Sequence, residues 1–121
     1  MIEPIDFKWR SGIYYPDSVR KIMTFAQSAH WMKVKIWKYY YSLEAGEEKD
    51  KIYSTLMEIE SLIGIAKREK SECDSGRYTE PRYIRDSELQ KNLELKKKSA
   101  KAMLSRIEET YNKVEREEKE K

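Results

Sequence analysis

Aromatic rings and amines are interleaved within residues 33–49, whose sequence is KVKIWKYYYSLEAGEEK. The core of a soluble helix does not require so many rings. Tyr has a flat apolar body with a polar tip and Lys carries charge, so the mixture suits a surface that contacts nucleobases, phosphates or an acidic protein. At helical spacing Trp31, Lys35 and Lys38 share one face, the predicted contact face. The alternative stays open: rings such as Trp37 belong to the core and the lysines only snorkel.

A second basic and aromatic cluster precedes the last predicted helix. It comprises Arg77, Tyr78, Arg82, Tyr83 and Arg85. Arg side chains grip phosphate or carboxylate with two parallel hydrogen bonds, and loops of this composition often order on their ligand. A plain solvent-facing loop is the alternative. Downstream lysines could extend the cluster into a basic edge, namely Lys91, Lys96, Lys97, Lys98 and Lys101.

Residues suited to enzymatic chemistry are scarce. The chain has one His, His30, and one Cys, Cys73, so it has neither a CxxC redox pair nor a zinc knuckle. His30 follows an apolar helical pattern, which favours a packed side chain over a catalytic one. No Glu-x-x-His motif and no glycine-rich phosphate loop is present. The sequence therefore predicts a protein without enzymatic activity, metal or cofactor.

Length and charge favour one globular binding domain. The 121 residues suffice for one modest core, and 39% of them are charged. The net charge is only +3, yet residues 67–107 contain 12 Lys and Arg against 7 Asp and Glu. A local excess of this kind attracts phosphate even when the total charge is nearly balanced.

The single cysteine and an N-terminus without a signal-peptide pattern predict a cytoplasmic protein, because small secreted domains usually carry several cysteines. No stretch approaches the ~20 uncharged residues that span a bilayer, so no membrane contact is expected. Lys and Glu are abundant while Asn and Gln are scarce. This bias is typical of heat-adapted proteins.

The apolar spacing predicts an all-α fold, an antiparallel three-helix bundle with an extended N-terminal arm. Residues 1–16 contain two prolines, and within them Ile5, Phe7 and Trp9 alternate with Asp6, Lys8 and Arg10, which indicates an arm or short hairpin. An arm that covers the bundle's own core is favoured over one donated to a partner. The bundle is expected over residues 17–114. A charged tail that frays is expected over residues 115–121.

Capping and turn residues indicate where the first helix begins and ends. Asp17 or Ser18 can cap it, it should end near Leu43, and Gly46 offers a left-handed stop. The predicted core positions of the three helices are Val19, Ile22, Ala26, Ala29, Ile36, Tyr40 and Leu43, then Ile52, Leu56, Ile59, Ile63 and Ala66, then Leu89, Leu93, Ala100, Leu104, Ile107, Tyr111 and Val114.

The apolar pattern is interrupted by a glycine in the second helix and by lysines in the third. The second is expected over about residues 48–72, where Gly64 weakens the helix and indicates close packing. Ser87 opens the third with a capping box that Gln90 completes. Lysines at 96–98 interrupt its apolar stripe. The third helix should therefore bend away from the core there or pack against another chain.

Residues 35–49, KIWKYYYSLEAGEEK, resemble a signature of the small helical subunit of type III CRISPR effector complexes. In that family an aromatic pair precedes Glu-Ala-Gly-Arg and a basic residue. The segment YPDSVRKI at 15–22 is similar to the segment that opens a helix in the family, and residues 104–113 are compatible with its final helix. The resemblance implies a small non-catalytic subunit that stacks in several copies and lines the target RNA. It implies RNA contacts by Arg20, Lys21, Lys35 and Lys38.

These patterns predict a non-enzymatic binding or scaffold subunit that contacts single-stranded RNA, or another nucleic acid, within a larger complex. The predicted contact residues are Arg20, Lys21, Trp31, Lys35, Lys38, Arg77, Tyr78, Arg82, Tyr83 and Arg85. The alternative is a protein adaptor or inhibitor, from a virus or mobile element, that forms a homo-oligomer through its helices. Such an adaptor would use the same basic residues against an acidic surface.

Overall fold

A computed structural model describes residues 2–119, which form four α-helices and no strand. The all-α fold is therefore confirmed. The helices are α1 (Asp17–Ser42), α2 (Glu47–Asp74), α3 (Glu80–Arg85) and α4 (Ser87–Lys119). Three of them are long and pack as a bundle, whereas the six-residue α3 lies in a segment predicted as a loop. Within the described residues no helix is long and apolar enough to cross a bilayer.

The predicted apolar stripes form the core. Positions with almost no solvent exposure include Val19, Ile22, Ala26, Ala29, Ile36, Ile52, Leu56, Ile59, Ala66, Leu93, Ala100, Ile107 and Val114. Tyr40, Leu43, Leu89 and Tyr111 are only partly buried and pack at the edge of this core. The core therefore runs the length of the three long helices. Their other faces lie on the surface, where they are accessible to a ligand or partner.

The helix α4 runs antiparallel to α2. Lys113 near its end pairs with Glu48 at the start of α2, and Lys96 near its start pairs with Glu69 near the end of α2 at 2.8 Å. The second pair lies at the lysine interruption of the apolar stripe. The prediction that α4 bends away from the core or needs another chain there is wrong, because a buried acid on α2 receives Lys96.

The helices α1 and α4 run parallel. Ser18 at the start of α1 donates a hydrogen bond to Glu94 at 3.2 Å, and Lys35 further along donates to Glu115 at 2.6 Å. The second contact keeps the end of α4 against α1, so the predicted charged tail begins as helix through Lys119. The expected fraying of the chain end includes residues 120 and 121, which lie outside the described residues, and it stays a prediction.

Residues 2–16 lie along the bundle without forming a strand. Phe7 is buried among the core residues. The Gln27 side chain accepts a hydrogen bond from the Ile5 amide and donates one to the Ile5 carbonyl, at 3.0 and 2.7 Å. The Lys70 ammonium donates to the Lys8 carbonyl at 2.9 Å. The arm thus packs on its own bundle.

Both predicted caps are wrong. No side-chain hydrogen bond caps α1, because Ser18 is turned toward α4 instead. At α4 the cap is Asp86, whose carboxylate accepts from the Leu89 amide at 3.0 Å. Gln90 does not complete a capping box with Ser87, and its side-chain amide donates to a carbonyl of α3 at 2.7 Å.

Glycines shape the connections between helices. The last residue before the α1–α2 turn, Leu43, is extended, and Gly46 caps the start of α2, so Gly46 is not the predicted left-handed stop. Gly76 has φ +83° just after α2, a conformation that favours glycine. Gly64 has no neighbouring atom within 4 Å of the position that a Cβ would occupy. The prediction that Gly64 permits close packing is therefore wrong.

Candidate functional site

A groove opens between α1 and α4. The first contributes a lysine and a phenylalanine one helical turn apart, and the second contributes three lysines and a glutamate from consecutive turns. The lining residues of this lysine groove are Lys21, Thr24, Phe25, Glu94, Lys97, Lys98 and Lys101. Its volume is about 550 Å³. The parallel arrangement of the two helices brings these lysines together.

Two of the groove lysines have carboxylate partners. Lys21 pairs with Asp17 at 3.2 Å, one turn earlier on α1. Lys97 pairs with Glu94 at 2.6 Å, and Ser18 donates a hydrogen bond to the same carboxylate. The hydrogen bond from Lys97 outweighs desolvation and holds the pKa of Glu94 below its ordinary value. Glu94 therefore stays ionised and neutralises one amine.

The other two groove lysines have no such partner. Among residues 2–119 no carboxylate lies within 4.0 Å of the Lys98 or Lys101 ammonium. The Lys101 ammonium lies 5.2 Å from the centre of the Phe25 ring. A ring face attracts a cation but leaves most of its hydration and its three donors available. The lysine groove thus carries two positive charges that the described part of the chain does not neutralise.

Arg20 is exposed beside the lysine groove, one residue before Lys21. Its guanidinium lowers the pKa of the Tyr14 phenol, although burial and the ionisable groups of Tyr83 and Glu80 outweigh it and raise that pKa. Tyr14 and Tyr83 lie with ring centres 5.7 Å apart. The positive charge of Arg20 therefore acts on Tyr14, a residue of the arm.

The predicted contact face on α1 is divided. Lys35 is bound to Glu115 at 2.6 Å and to Glu118 at 3.3 Å. The hydrogen bond that Lys35 donates to Glu115 raises the pKa of Lys35, so this amine stabilises the α1–α4 contact. Trp31 is 48% exposed and Lys38 is exposed. Trp31 and Lys38 lie on the surface, whereas the Lys35 ammonium is already paired with two carboxylates of α4.

Four rings form an aromatic seam where α1 meets α2, which comprises Trp37, Tyr40, Tyr41 and Tyr53. The Trp37 and Tyr41 rings are stacked at 5.5 Å, and Tyr40 meets both of them edge-on at 5.4 Å. Tyr53 on α2 lies 6.0 Å from Tyr40. Tyr40 and Trp37 pack on the core edge as the alternative reading expected, while Tyr41 is 74% exposed.

The second predicted cluster does not form one surface. Tyr78 is buried and donates a hydrogen bond to Glu69 at 3.3 Å. Burial and the Glu69 carboxylate raise the pKa of Tyr78 to about 12, so Tyr78 is a core residue and its prediction as a contact is wrong. Arg77 pairs with Glu72 at 3.0 Å. Tyr83 packs against the core edge.

Arg82 and Arg85 are exposed on the short helix α3, and neither has a carboxylate within 4.0 Å among the described residues. They lie together around a shallow surface depression that also contains Asp86 and Glu88. These acids lower the local positive charge. The α3 arginines are therefore available for contact but lack the charge surplus of the lysine groove.

His30 contacts the N-terminal arm, and Cys73 is buried in the core. The His30 Nε2 donates to the Glu3 carbonyl at 2.8 Å, and its buried Nδ1 has no hydrogen-bond partner among residues 2–119. Cys73 is buried, and burial together with the Glu69 carboxylate raises the pKa of its thiol to about 12. Within the described residues no group of three or more His, Cys, Asp and Glu side chains is placed to hold a metal ion.

The predicted site residues therefore separate into several surfaces. Only Lys21 lines the lysine groove, and the α4 lysines at its other wall were expected beside the arginine segment instead. Tyr53 was missed because its spacing on α2 places it outside the apolar stripe. The sequence does not show how α1 is aligned against α4, so it could not predict that Lys21 lies beside the lysines of α4.

No family model, no curated protein and no solved structure matches this chain. The resemblance of residues 35–49 to the CRISPR small subunit therefore stays a prediction.

Proposed function

We propose that this chain is a non-enzymatic binding subunit that holds the backbone of single-stranded nucleic acid, RNA in particular, in the lysine groove. Lys98 and Lys101 carry the proposal, because they are groove lysines whose charge no carboxylate of the described chain neutralises. A larger complex would supply the remaining contacts. The single cysteine, kept as a buried thiol, favours the reducing cytoplasm as its compartment.

Amines of this kind suit phosphates better than bases. A lysine ammonium is a compact, hydrated point charge that lacks the planar fork with which arginine reads a base edge or a carboxylate. Phosphate contacts position a strand without reading its sequence. The groove is lined by lysines of both α1 and α4 and therefore suits a chain of phosphates. We expect binding that depends little on sequence and strongly on salt.

The resemblance to the CRISPR small subunit favours RNA as the strand. It implied contacts by Arg20, Lys21, Lys35 and Lys38. Lys21 lines the lysine groove and Arg20 is exposed beside it, whereas Lys35 is bound to Glu115. We therefore retain Arg20 and Lys21 as contacts and assign the role expected of Lys35 to the α4 lysines.

Fluorescence anisotropy with a labelled single-stranded RNA tests the proposal. The variant Lys98→Ala/Lys101→Ala removes the two unpaired groove charges at exposed helix positions, where alanine is well tolerated. At low salt we expect it to bind at least roughly fivefold more weakly than the wild type, because each lost amine is a charge-assisted contact to phosphate.

The matched control is Lys67→Ala/Arg68→Ala. It also removes two exposed positive charges from a helix, but from α2 and outside the lysine groove. The proposal requires this control to bind nearly as well as the wild type. Equal weakening in both double variants would mean that only net charge matters, and unchanged affinity in Lys98→Ala/Lys101→Ala would exclude the groove.

A further inference from the structure

Tyr41 presents one open face of an already stacked ring pair. Its other face lies against Trp37, with the ring planes inclined by 22° and the centres 5.5 Å apart. Because Tyr41 is 74% exposed, the side of the ring away from Trp37 faces solvent. The neighbouring Ile36 is fully buried and fills the core at this level. The core therefore does not require the Tyr41 ring.

Two amines flank the aromatic seam. Lys38 is exposed one turn before Tyr41 and has no carboxylate within 4.0 Å among residues 2–119. The Lys49 ammonium lies 4.7 Å from the centre of the Tyr40 ring. Exposed rings near amines are the arrangement that single-strand binders use, because a ring stacks on a base while the amines attract the adjoining phosphates.

Carboxylates around the aromatic seam limit its net charge. Glu47 pairs with Lys51, and Glu60 pairs with Lys33 across α1 and α2. Glu44, on the connection between these helices, is exposed. The seam is therefore only weakly positive, in contrast to the lysine groove. A ligand held here would depend on stacking more than on charge.

We propose that Tyr41 is a stacking platform for an unpaired nucleobase, with Trp37 supporting the ring from behind and Lys38 beside the phosphate. This inference rests on the proposed function, since it adds a second contact to the nucleic-acid strand that the lysine groove is proposed to hold. A base fits better than an apolar protein surface because the exposed rings end in hydroxyls and the edges of the patch are amines, so a dry interface would bury polar groups.

The lysine groove and Tyr41 are far enough apart on α1 to be tested separately. Lys21 and Tyr41 lie 20 residues apart on α1, which is about 30 Å at the helical rise. Substitutions at that separation normally act independently. The lysine groove should therefore determine the salt dependence of binding, and Tyr41 should determine whether the bases matter.

The experiment compares a single-stranded oligouridylate with an abasic strand of the same length and phosphate count. The wild type should bind the oligouridylate roughly fivefold or more tightly than the abasic strand, the range expected for one stacked base. Tyr41→Ala should bind both strands alike. Tyr41→Trp should retain the preference, and Tyr41→Leu should lose it despite its apolar side chain. Trp9→Ala, which removes an exposed ring of the N-terminal arm outside the aromatic seam, should keep the preference of the wild type.

Several results would overturn the stacking platform. The first is equal affinity of the wild type for the two strands. The second is a base preference that survives in Tyr41→Leu. The third is a base preference that is lost in Trp9→Ala but not in Tyr41→Ala. Sedimentation that shows a wild-type dimer and a Tyr41→Leu monomer would assign the seam to a protein interface instead. Loss of the base preference in Tyr41→Ala with full affinity in Lys98→Ala/Lys101→Ala would uphold the platform and reject the groove.

Discussion

The Lys96 ammonium donates a 2.8 Å hydrogen bond to the Glu69 carboxylate, whose side chain is only 4% exposed between α2 and α4. The other oxygen of that carboxylate accepts from the buried Tyr78 hydroxyl at 3.3 Å. A buried carboxylate is costly unless it is paired and hydrogen-bonded. The pair lets α4 remain on the bundle where its apolar stripe is broken.

Lys96→Ala should therefore destabilise the fold although Lys96 is a half-exposed residue. The change leaves Glu69 with the Tyr78 hydroxyl alone, and we expect a loss of about 1–3 kcal/mol, typical of a buried polar group deprived of a partner. Chemical denaturation followed by circular dichroism measures the change. The control is Lys98→Ala, an exposed neighbour without an ion pair, which should stay within about 0.5 kcal/mol of the wild type. Equal effects of the two substitutions would show that the Glu69 pair contributes nothing.

Gly64→Ala should stabilise the protein. Gly64 lies inside α2 with a helical conformation and has open space where the new methyl group would sit. Alanine is favoured over glycine in a helix interior by about 1 kcal/mol. Thermal unfolding should therefore show a higher midpoint than that of the wild type.

The comparison variant is Gly76→Ala, which places the same methyl group at φ +83°. That backbone conformation costs an alanine about 1 kcal/mol or more, so this variant should melt at a lower temperature. A gain in both variants, or a loss in Gly64→Ala, would contradict the assignment of Gly64 as an unpacked helical glycine.

Acid should weaken the attachment of the arm at Asp74. Burial alone would raise the pKa of Asp74, but hydrogen bonds from Lys70 and Tyr15, both 2.5 Å, outweigh it and hold that pKa below its ordinary value of 3.8. A lowered folded-state pKa means that the carboxylate stabilises the fold above about pH 4. This contribution is lost as the pH falls through the folded-state pKa.

Asp74→Asn removes the titration and keeps a hydrogen-bond acceptor. Its free energy of unfolding should fall less than that of the wild type between neutral pH and acid, by about 1 kcal/mol or more for a hydrogen bond to a charged group. Glu109→Gln alters an exposed carboxylate with no ion pair among the described residues, so it should retain the acid dependence of the wild type. An identical acid response in the wild type and Asp74→Asn would reject the role of this carboxylate.

Helical spacing was sufficient to predict the bundle and most of its core. Residues such as Ile22, Ile59 and Ile107 recur at the period of one helix face, and this local signal does not depend on how the helices pack. The short α3 was missed because six residues give no readable period. Asp86 caps α4, whereas Ser87 was predicted to do so. Both are good capping residues and adjacent in the sequence, so the sequence alone did not show which of them precedes the first helical residue.

The candidate site was harder to predict because it depends on contacts between helices. Nothing around Lys35 in the sequence shows that Glu115, 80 positions later, neutralises it. Tyr78 was expected on the surface, and its burial depends on where the segment after α2 folds back. The lysine groove joins Lys21 to lysines of α4 only through the parallel register of two helices distant in sequence.

The salt dependence of single-stranded RNA binding tests the lysine groove most directly. In single strands each phosphate contact contributes about −0.7 to the slope of log affinity against log salt. Arg20 and the four groove lysines predict a wild-type slope of at most about 3.5 in magnitude, since Lys21 and Lys97 also have carboxylate partners, and Lys98→Ala/Lys101→Ala should reduce that magnitude by about 1.4. The Lys67→Ala/Arg68→Ala control should keep the wild-type slope. The same slope in the wild type and in Lys98→Ala/Lys101→Ala, or no saturable binding by the wild type, would contradict the proposed function.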